Sequence, residues 1–228
     1  MPDIAAIIPA YNEEKAIGKV IREIPKDLVT EIVVVNNNSD DNTKKIALSE
    51  GATVIDEPKR GYGQACLKGI DYLKNKSPQT DIVVFMDGDH SDYPAELSKL
   101  VNPIIKNGMD MVIGSRTLGK AEKGALTPQQ IFGNRLATTL IRILYGTRYT
   151  DLGPFRAIKF SSLLELKMQD TNYGWTTEMQ IKAAKQKLNI SEIPVNYRSR
   201  IGTSKISGTI KGSISAGYKI IKTIFRYY

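Results

Sequence analysis

The sequence predicts an α/β fold: a mainly parallel sheet flanked by helices, with a helical, basic C-terminal segment. Three observations carry this reading. Apolar runs of strand length alternate with stretches of helical spacing through the first half, the pattern of a parallel sheet covered on both faces. Polar clusters follow those runs, at Tyr11-Asn12-Glu13, Asn36 to Asp41, Asp87 to Asp89 and Ser115-Arg116. Open parallel sheets bind ligands at the carboxyl ends of their strands, so these clusters mark one edge as functional. The second half is more helical and ends in a basic amphipathic stretch.

The elements follow in order. Ile4–Pro9 reads as a buried strand, and Glu13–Ile24 as a helix with Ala16, Val20 and Ile24 on one face. Glu31–Val35 is a strand, Thr43–Glu50 a helix, and Ala52–Asp56 a short third strand. Gly61–Lys74 is a helix with a glycine-rich start, and Asp81–Met86 is a strongly apolar strand that runs into Asp87-Gly88-Asp89. Pro94–Lys106 reads as a helix and Asp110–Gly114 as a strand. Then come a helix over Ile131–Leu144, a strand-like Ala157–Phe160, a helix over Thr176–Gln186 and a strand over Ile190–Tyr197. Residues 206–226 form a terminal helix, so the chain divides into a domain over 1–205 and an amphipathic helix over 206–228. Residues 117–130 are rich in Gly and Lys and contain Pro128, which favours a mobile acceptor loop.

Composition sets the bounds. The 228 residues are 41% hydrophobic and 25% charged, which excludes a disordered chain. One cysteine excludes an intramolecular disulfide and fits a reducing compartment. Asp3 interrupts the opening residues, so no secretory leader is expected. No uncharged apolar stretch reaches the ~18 residues of a membrane span. A single histidine and the lack of CxxC or HExxH argue against zinc. The expected location is cytoplasmic, or peripheral on the cytoplasmic face of a membrane. The net charge of +8 is uneven: residues 1–110 carry 13 basic and 18 acidic side chains, residues 111–228 carry 19 and 6. The second half therefore suits an anionic partner, although a solvated basic tail has the same composition.

Asp87 and Asp89 are two apart at the end of an extended run, so both carboxylates point to one side. An oxygen-only pair favours a hard ion, Mg2+ or Mn2+, and Mg2+ is commonly shared with substrate phosphates. A solvated acidic turn would look the same from these residues alone; the apolar run that aims them at the sheet edge favours metal. His90 is read as an outer ligand, as a group orienting a carboxylate, or as a surface histidine. The run Gly114-x-x-x-x-Gly119-Lys120 has the start of a phosphate loop, but Ala121 stands where Ser or Thr would meet Mg2+, and it is set aside. Gly61-x-Gly63 matches a dinucleotide fingerprint only in part.

Five segments in this order resemble a known family: Ile8-Pro9-Ala10-Tyr11-Asn12-Glu13-Glu14, Val34-Val35-Asn36-Asn37-Asn38-Ser39-x-Asp41-x-Thr43, Gly61-Tyr62-Gly63-Gln64-Ala65, Met86-Asp87-Gly88-Asp89 and Gly114-Ser115-Arg116. Asp151-x-Gly153-x-Phe155-Arg156 and Arg200-x-Gly202-x-Ser204-Lys205 agree with them. Together they resemble family 2 glycosyltransferases of the Rossmann-like GT-A fold, in the branch of dolichyl-phosphate mannosyltransferase-like and polyprenyl-phosphate enzymes. The resemblance implies an inverting, metal-dependent transfer from a nucleoside-diphosphate sugar. It implies that Pro9, Tyr11 and Glu13 line the nucleoside pocket and that Asp87 and Asp89 hold Mg2+ or Mn2+. It further implies that Arg116 and Arg135 meet the acceptor phosphate, and that Arg200 and Lys205 cover the donor diphosphate.

Two departures from the family pattern are informative. Asn36 stands where the family has Asp at a position that meets the base. A carboxamide offers one donor and one acceptor, which complements uracil better than guanine, so a UDP-sugar is favoured over a GDP-sugar, and a dTDP-sugar satisfies the same pattern. The carboxylate and Gln-x-x-Arg-Trp segment of hydroxyl-acceptor enzymes is absent, and Tyr173-Gly174-Trp175-Thr176-Thr177-Glu178 stands instead. A phosphate monoester is already anionic near neutral pH and needs no general base, so polyprenyl phosphate is the favoured acceptor. A soluble or glycan hydroxyl acceptor is the alternative, with Glu178 as base or sugar ligand and Trp175 stacking on the sugar. A sugar-phosphate nucleotidyltransferase ranks lower, and nucleic-acid binding is not expected. The terminal stretch places Ile206, Ile210, Ile214, Ile221 and Phe225 on one track and Lys211, Lys219, Lys222 and Arg226 on another. Such a helix lies on anionic lipid, packs on the domain or meets a second subunit in a homo-oligomer.

Overall fold

A computed structural model describes residues 2–76, 79–202 and 210–228. Seven strands form one sheet: β1 (Ile4–Ala10), β2 (Glu31–Asn36), β3 (Thr53–Asp56), β4 (Ile82–Phe85), β5 (Met111–Ser115), β6 (Arg156–Lys159) and β7 (Ile190–Pro194), in the order β3-β2-β1-β4-β6-β5-β7. All neighbours pair in parallel except β6, which is antiparallel to both β4 and β5. The six other strands therefore end on one edge, where the polar clusters sit.

The described helices are α1 (Ile17–Glu23), α2 (Thr43–Ser49), α3 (Tyr62–Lys74), α4 (Leu97–Asn107), α5 (Pro128–Tyr145), α6 (Phe160–Glu165), α7 (Trp175–Lys185) and α8 (Ile210–Arg226). The pleat sends alternate strand residues to opposite faces. Ala5 and Ile7 of β1 join Val33, Phe85 and Ile113 in a core shared with α3, α5, α7 and α8. Ile4, Ala6 and Ile8 join Val34, Val84 and Val112 in a second core beneath α1, α2 and α4. This is why the strand runs are almost continuously apolar.

Most elements fall where the sequence puts them, and the exceptions have local causes. The first helix begins at Ile17 rather than Glu13, because a turn comes first in which Glu13 O accepts from Ala16 N and Ile17 N. The helix expected from Ile131 begins at Pro128, behind a capping box in which Thr127 Oγ1 accepts from Gln130 N and Gln130 Oε1 accepts from Thr127 N. Phe160 opens α6 instead of closing a strand. The 117–130 segment is tied down: Tyr197 N donates to Lys120 O, Glu122 N donates to Tyr197 O, and a Cβ on Gly119 would lie 1.9 Å from Val195 O. The terminal helix is part of the domain, since Thr223 and Ile224 are buried and α8 packs on α5 and α7.

Candidate active site

A cavity of about 350 Å3 opens at the carboxyl edge of the sheet. The end of β1 supplies Pro9, Ala10, Tyr11 and Glu13, and the end of β4 supplies Asp87, Gly88 and Asp89. Asn37, Arg60, Gly61 and Tyr62 close one side, and Asn172, Tyr173 and Arg200 another. The glycines before α3 serve packing. A Cβ on Gly63 would lie 2.0 Å from Asp170 O, and one on Gly61 would lie 2.2 Å from Thr171 O. Only glycine lets α3 press against the 170–173 segment that walls the cavity.

The acidic centre lies on the cavity floor. Asp87 Oδ1 is buried and has no hydrogen-bond partner. Burial, and then the charges of Asp89 and Asp92, push the Asp87 carboxyl well above its ordinary range. Asp89 Oδ1 accepts from Ser91 N at 2.9 Å and from Ser91 Oγ at 2.5 Å, which fixes its orientation. Asp92 lies just behind: its Oδ2 accepts from Asp87 N at 3.2 Å, and burial followed by the Asp89 charge raises it to about 7. An orphaned, buried carboxylate oxygen beside a second carboxylate is what a hard divalent cation satisfies, so the residues fit Mg2+ or Mn2+. Among the described residues no group of three or more His, Cys, Asp or Glu converges to hold a metal, so such an ion would take further ligands from substrate or water.

Arg200 spans the cavity mouth. Its guanidinium donates to Glu13 Oε1 at 3.0 Å and sits 3.2 Å from Asp89 Oδ2, while its buried Nε is unpartnered. The backbone puts it there: Arg198 N donates to Ser91 O and Ile201 N to Asp89 O, laying residues 198–201 along the acidic turn. On the opposite side Arg60 stacks 4.3 Å above the Tyr11 ring. Arg156, completely buried at the start of β6, donates to Thr176 O at 3.1 Å and to Leu152 O and Gly153 O. Burial lowers it to about 10.

Pro9, Tyr11, Glu13, Asp87, Asp89 and Arg200 thus meet around one cavity, as expected together. Other expected residues lie elsewhere. Asn36 does not line the cavity; its Nδ2 donates to Asp56 Oδ1 at 2.9 Å and its Oδ1 accepts from Ser39 N. Its carboxamide is engaged within the protein, and the neighbouring Asn37 faces the cavity. Arg116 makes a bidentate pair with the buried Asp151, at 2.8 and 2.7 Å. Burial works against the Arg116 charge, but Asp151 outweighs it and holds the guanidinium more firmly protonated than usual. Arg135 is exposed on α5, away from the cavity.

Glu178 is fully buried: it accepts from Gln169 N, Asp170 N and Tyr227 OH and pairs with Lys182, so no face of it is open to a sugar. Trp175 is not a sugar platform either. It is 1% exposed and meets Phe85 edge to face at 5.9 Å. His90 turns away from the carboxylates to Glu23 Oε1 at 2.7 Å, which removes it as an outer metal ligand. Lys205 and Ile206 lie outside the described residues. Sequence reasoning missed Arg60, Tyr62, Asn172 and Tyr173 as lining residues, and Asp92 as a third carboxylate. Arg60 directly precedes the glycine pair, and that position was its only signal.

The sequence model of the family described as Glycosyl transferase family 2 matches residues 5–167. A dolichyl-phosphate hexose transferase from Haloferax volcanii is 33% identical over 225 residues, covering 96% of this chain and 93% of that protein. A UDP-N-acetylglucosamine–dolichyl-phosphate N-acetylglucosaminyltransferase from Methanococcus voltae is 32% identical over 232 residues, with 90% and 91% covered. A crystal structure of glucosyl-3-phosphoglycerate synthase from Mycobacterium tuberculosis, in complex with Mn2+, uridine diphosphate and glucosyl-3-phosphoglycerate, matches with a TM-score of 0.77 at 22% identity. That match covers 99% of this chain and 80% of the other, and establishes a shared fold.

Proposed function

The chain belongs to glycosyl transferase family 2, and from that premise we propose that it moves a sugar from a UDP-sugar to the phosphate of a polyprenyl carrier, with Mg2+ or Mn2+ at Asp87 and Asp89. The observation that carries the reading is the pair of carboxylates on the cavity floor, Asp89 buried and one oxygen of Asp87 buried and unpartnered, with Arg200 across the mouth. Family membership displaces the nucleotidyltransferase reading. The donor and acceptor classes are supported by the activities named for the archaeal relatives.

The residues divide the work as follows. Pro9, Tyr11 and Glu13, which line the cavity with Arg60 packed on the Tyr11 ring, would receive the nucleoside. Asp87 and Asp89 would hold Mg2+ or Mn2+ at the diphosphate end. A bound Mg2+ or Mn2+ would neutralise charge on the departing diphosphate. Arg200 leaves its contacts with Glu13 and Asp89 to pair with the same diphosphate, adding charge stabilisation where charge develops. An acceptor phosphate oxygen attacks the anomeric carbon from the face opposite the diphosphate. The new carbon–oxygen bond forms as the bond to the diphosphate breaks, UDP leaves, and the anomeric configuration inverts. No side chain has to remove a proton, because the attacking phosphate is already anionic, which accords with the buried, fully engaged Glu178.

The test is UDP and GDP release from a panel of UDP- and GDP-sugars in Mn2+ or Mg2+, with and without a short polyprenyl phosphate. Release from a UDP-sugar that requires the lipid phosphate and disappears in Asp89→Ala is the expected result. Release indifferent to the lipid would move the acceptor to a soluble molecule. A GDP affinity equal to or above that for UDP would overturn the donor.

A further inference from the structure

Among the described residues no helix is long and apolar enough to cross a membrane. The terminal helix, which the sequence offers as the amphipathic surface element, turns Thr223 and Ile224 into the core. Among the described residues, Tyr218, Phe225 and Tyr228 of the terminal stretch are exposed, and α5 carries four more large apolar side chains that face out. Phe132 and Ile143 are each 70% exposed, and Leu136 lies on the same face at helical spacing. Ile131, Arg135 and Arg142 occupy the adjoining strip and are also exposed. Residues 123–150 contain four basic side chains and no acid. A water-facing helix ordinarily carries polar residues of both signs on its outer face; this one carries apolar side chains flanked by cations.

The strip has a fixed relation to the cavity edge. Asn134, on the inner side of α5, donates to Thr150 O and accepts from Leu152 N. Thr150 in turn bonds Ser115 at the end of β5, and Asp151 holds Arg116 there. The first turns of α5 are therefore fastened to the edge of the sheet on which the donor cavity opens.

We propose that the outer face of α5 docks on an anionic lipid surface, with Phe132, Leu136 and Ile143 in the interfacial layer and Arg135 and Arg142 among the headgroups. This deepens the transferase reading by naming the surface that would present the acceptor, and it rests on that reading for its purpose. Charge selects the occupant. Pairing two copies through this face would bring four arginines together with no carboxylate from either α5, which disfavours a symmetric dimer. Anionic headgroups complement the cations, and the acyl boundary accommodates the apolar strip.

The experiment is co-sedimentation of the full chain with vesicles of phosphatidylcholine alone or with phosphatidylglycerol added, neither containing a polyprenyl phosphate. Binding to the anionic vesicles is expected, weakening as salt is raised. It should fall by about fivefold for each arginine removed in Arg135→Gln and Arg142→Gln, and by more in Phe132→Glu with Ile143→Glu. These side chains are exposed, and an unchanged melting curve in each variant confirms that folding is intact. Equal binding to both vesicle types, no binding, or a lipid-independent dimer broken by Phe132→Glu would overturn the proposal. Because the vesicles lack acceptor, docking is read apart from transfer, and vesicle binding together with no transfer to a detergent-solubilised polyprenyl phosphate would defeat the transferase reading alone. Transfer to a detergent-solubilised acceptor without vesicle binding would defeat the docking surface alone.

Discussion

Asp87 and Arg116 are both half-buried charged side chains at the carboxyl edge of the sheet, and their surroundings give them opposite roles. Asp87 keeps an unpartnered oxygen among other carboxylates, so its charge is costly until a cation arrives. Arg116 has every advantage of geometry with Asp151, whose side chain is 1% exposed. Removing one partner of such a pair leaves the other charge buried and uncompensated. Arg116→Ala should therefore cost about 3–5 kcal/mol of stability, read as a lower denaturation midpoint. Arg135→Ala, at an exposed position, should cost under about 0.5 kcal/mol. Unchanged stability in Arg116→Ala together with a raised acceptor KM would instead support the phosphate contact that the family resemblance implies. The family resemblance named both arginines; the sequence had no means to show that a carboxylate 35 residues later takes up Arg116.

At the scale of elements, α8 acts as a strap on the wall of the cavity. Lys219 reaches Asp170 Oδ2 at 2.9 Å and Tyr227 OH reaches Glu178 Oε1 at 2.6 Å. Asp170 Oδ1 accepts from Asn172 N and Gly174 N, and Glu178 accepts from the Gln169 and Asp170 amides. Asn172 and Tyr173 line the cavity, so the terminal helix fixes a segment of its wall. Tyr227→Phe should lower stability by about 1 kcal/mol. It should also speed hydrogen exchange across residues 169–174 and raise the donor KM several-fold, with kcat little changed. A lower melting temperature with an unchanged KM would show that α8 only packs. The helix itself was legible from its 3.6-residue period. Its inward orientation was not, because a period gives a face without saying what covers it.

The whole molecule joins an acidic half that supplies most of the cavity lining to a basic half that adds Asn172, Tyr173 and Arg200 and carries α5 and α8, and its acid stability depends on ties between distant elements. Glu31 is one: it accepts from Tyr72 OH at 2.8 Å and Thr53 Oγ1 at 2.9 Å and pairs with Lys76, linking β2, β3 and α3. Burial pushes the Glu31 carboxyl up, but the bonds to Lys76, Tyr72 and Thr53 outweigh it and hold it below the usual 4.5. Its contribution is complete above the unfolded value and is lost as pH falls through the lower folded value. Glu31→Gln should thus cost about 1 kcal/mol at neutral pH, with the gap to wild type closing on acidification in urea titrations. A gap constant with pH would assign the loss to shape rather than charge. By itself the sequence determined the alternation of strands and helices, the functional edge and the acidic pair, because periodicity and strand-end polarity are local properties. Tertiary structure alone decided that β6 runs antiparallel and brings Arg156 to that edge, and that Asn36, Glu178 and Trp175 are engaged inside the protein. It alone showed that Arg60 and Tyr173 face the cavity and that α5 carries the exposed apolar strip. Each of these depends on partners far apart in the chain, and one sequence records the residues without recording which of them meet.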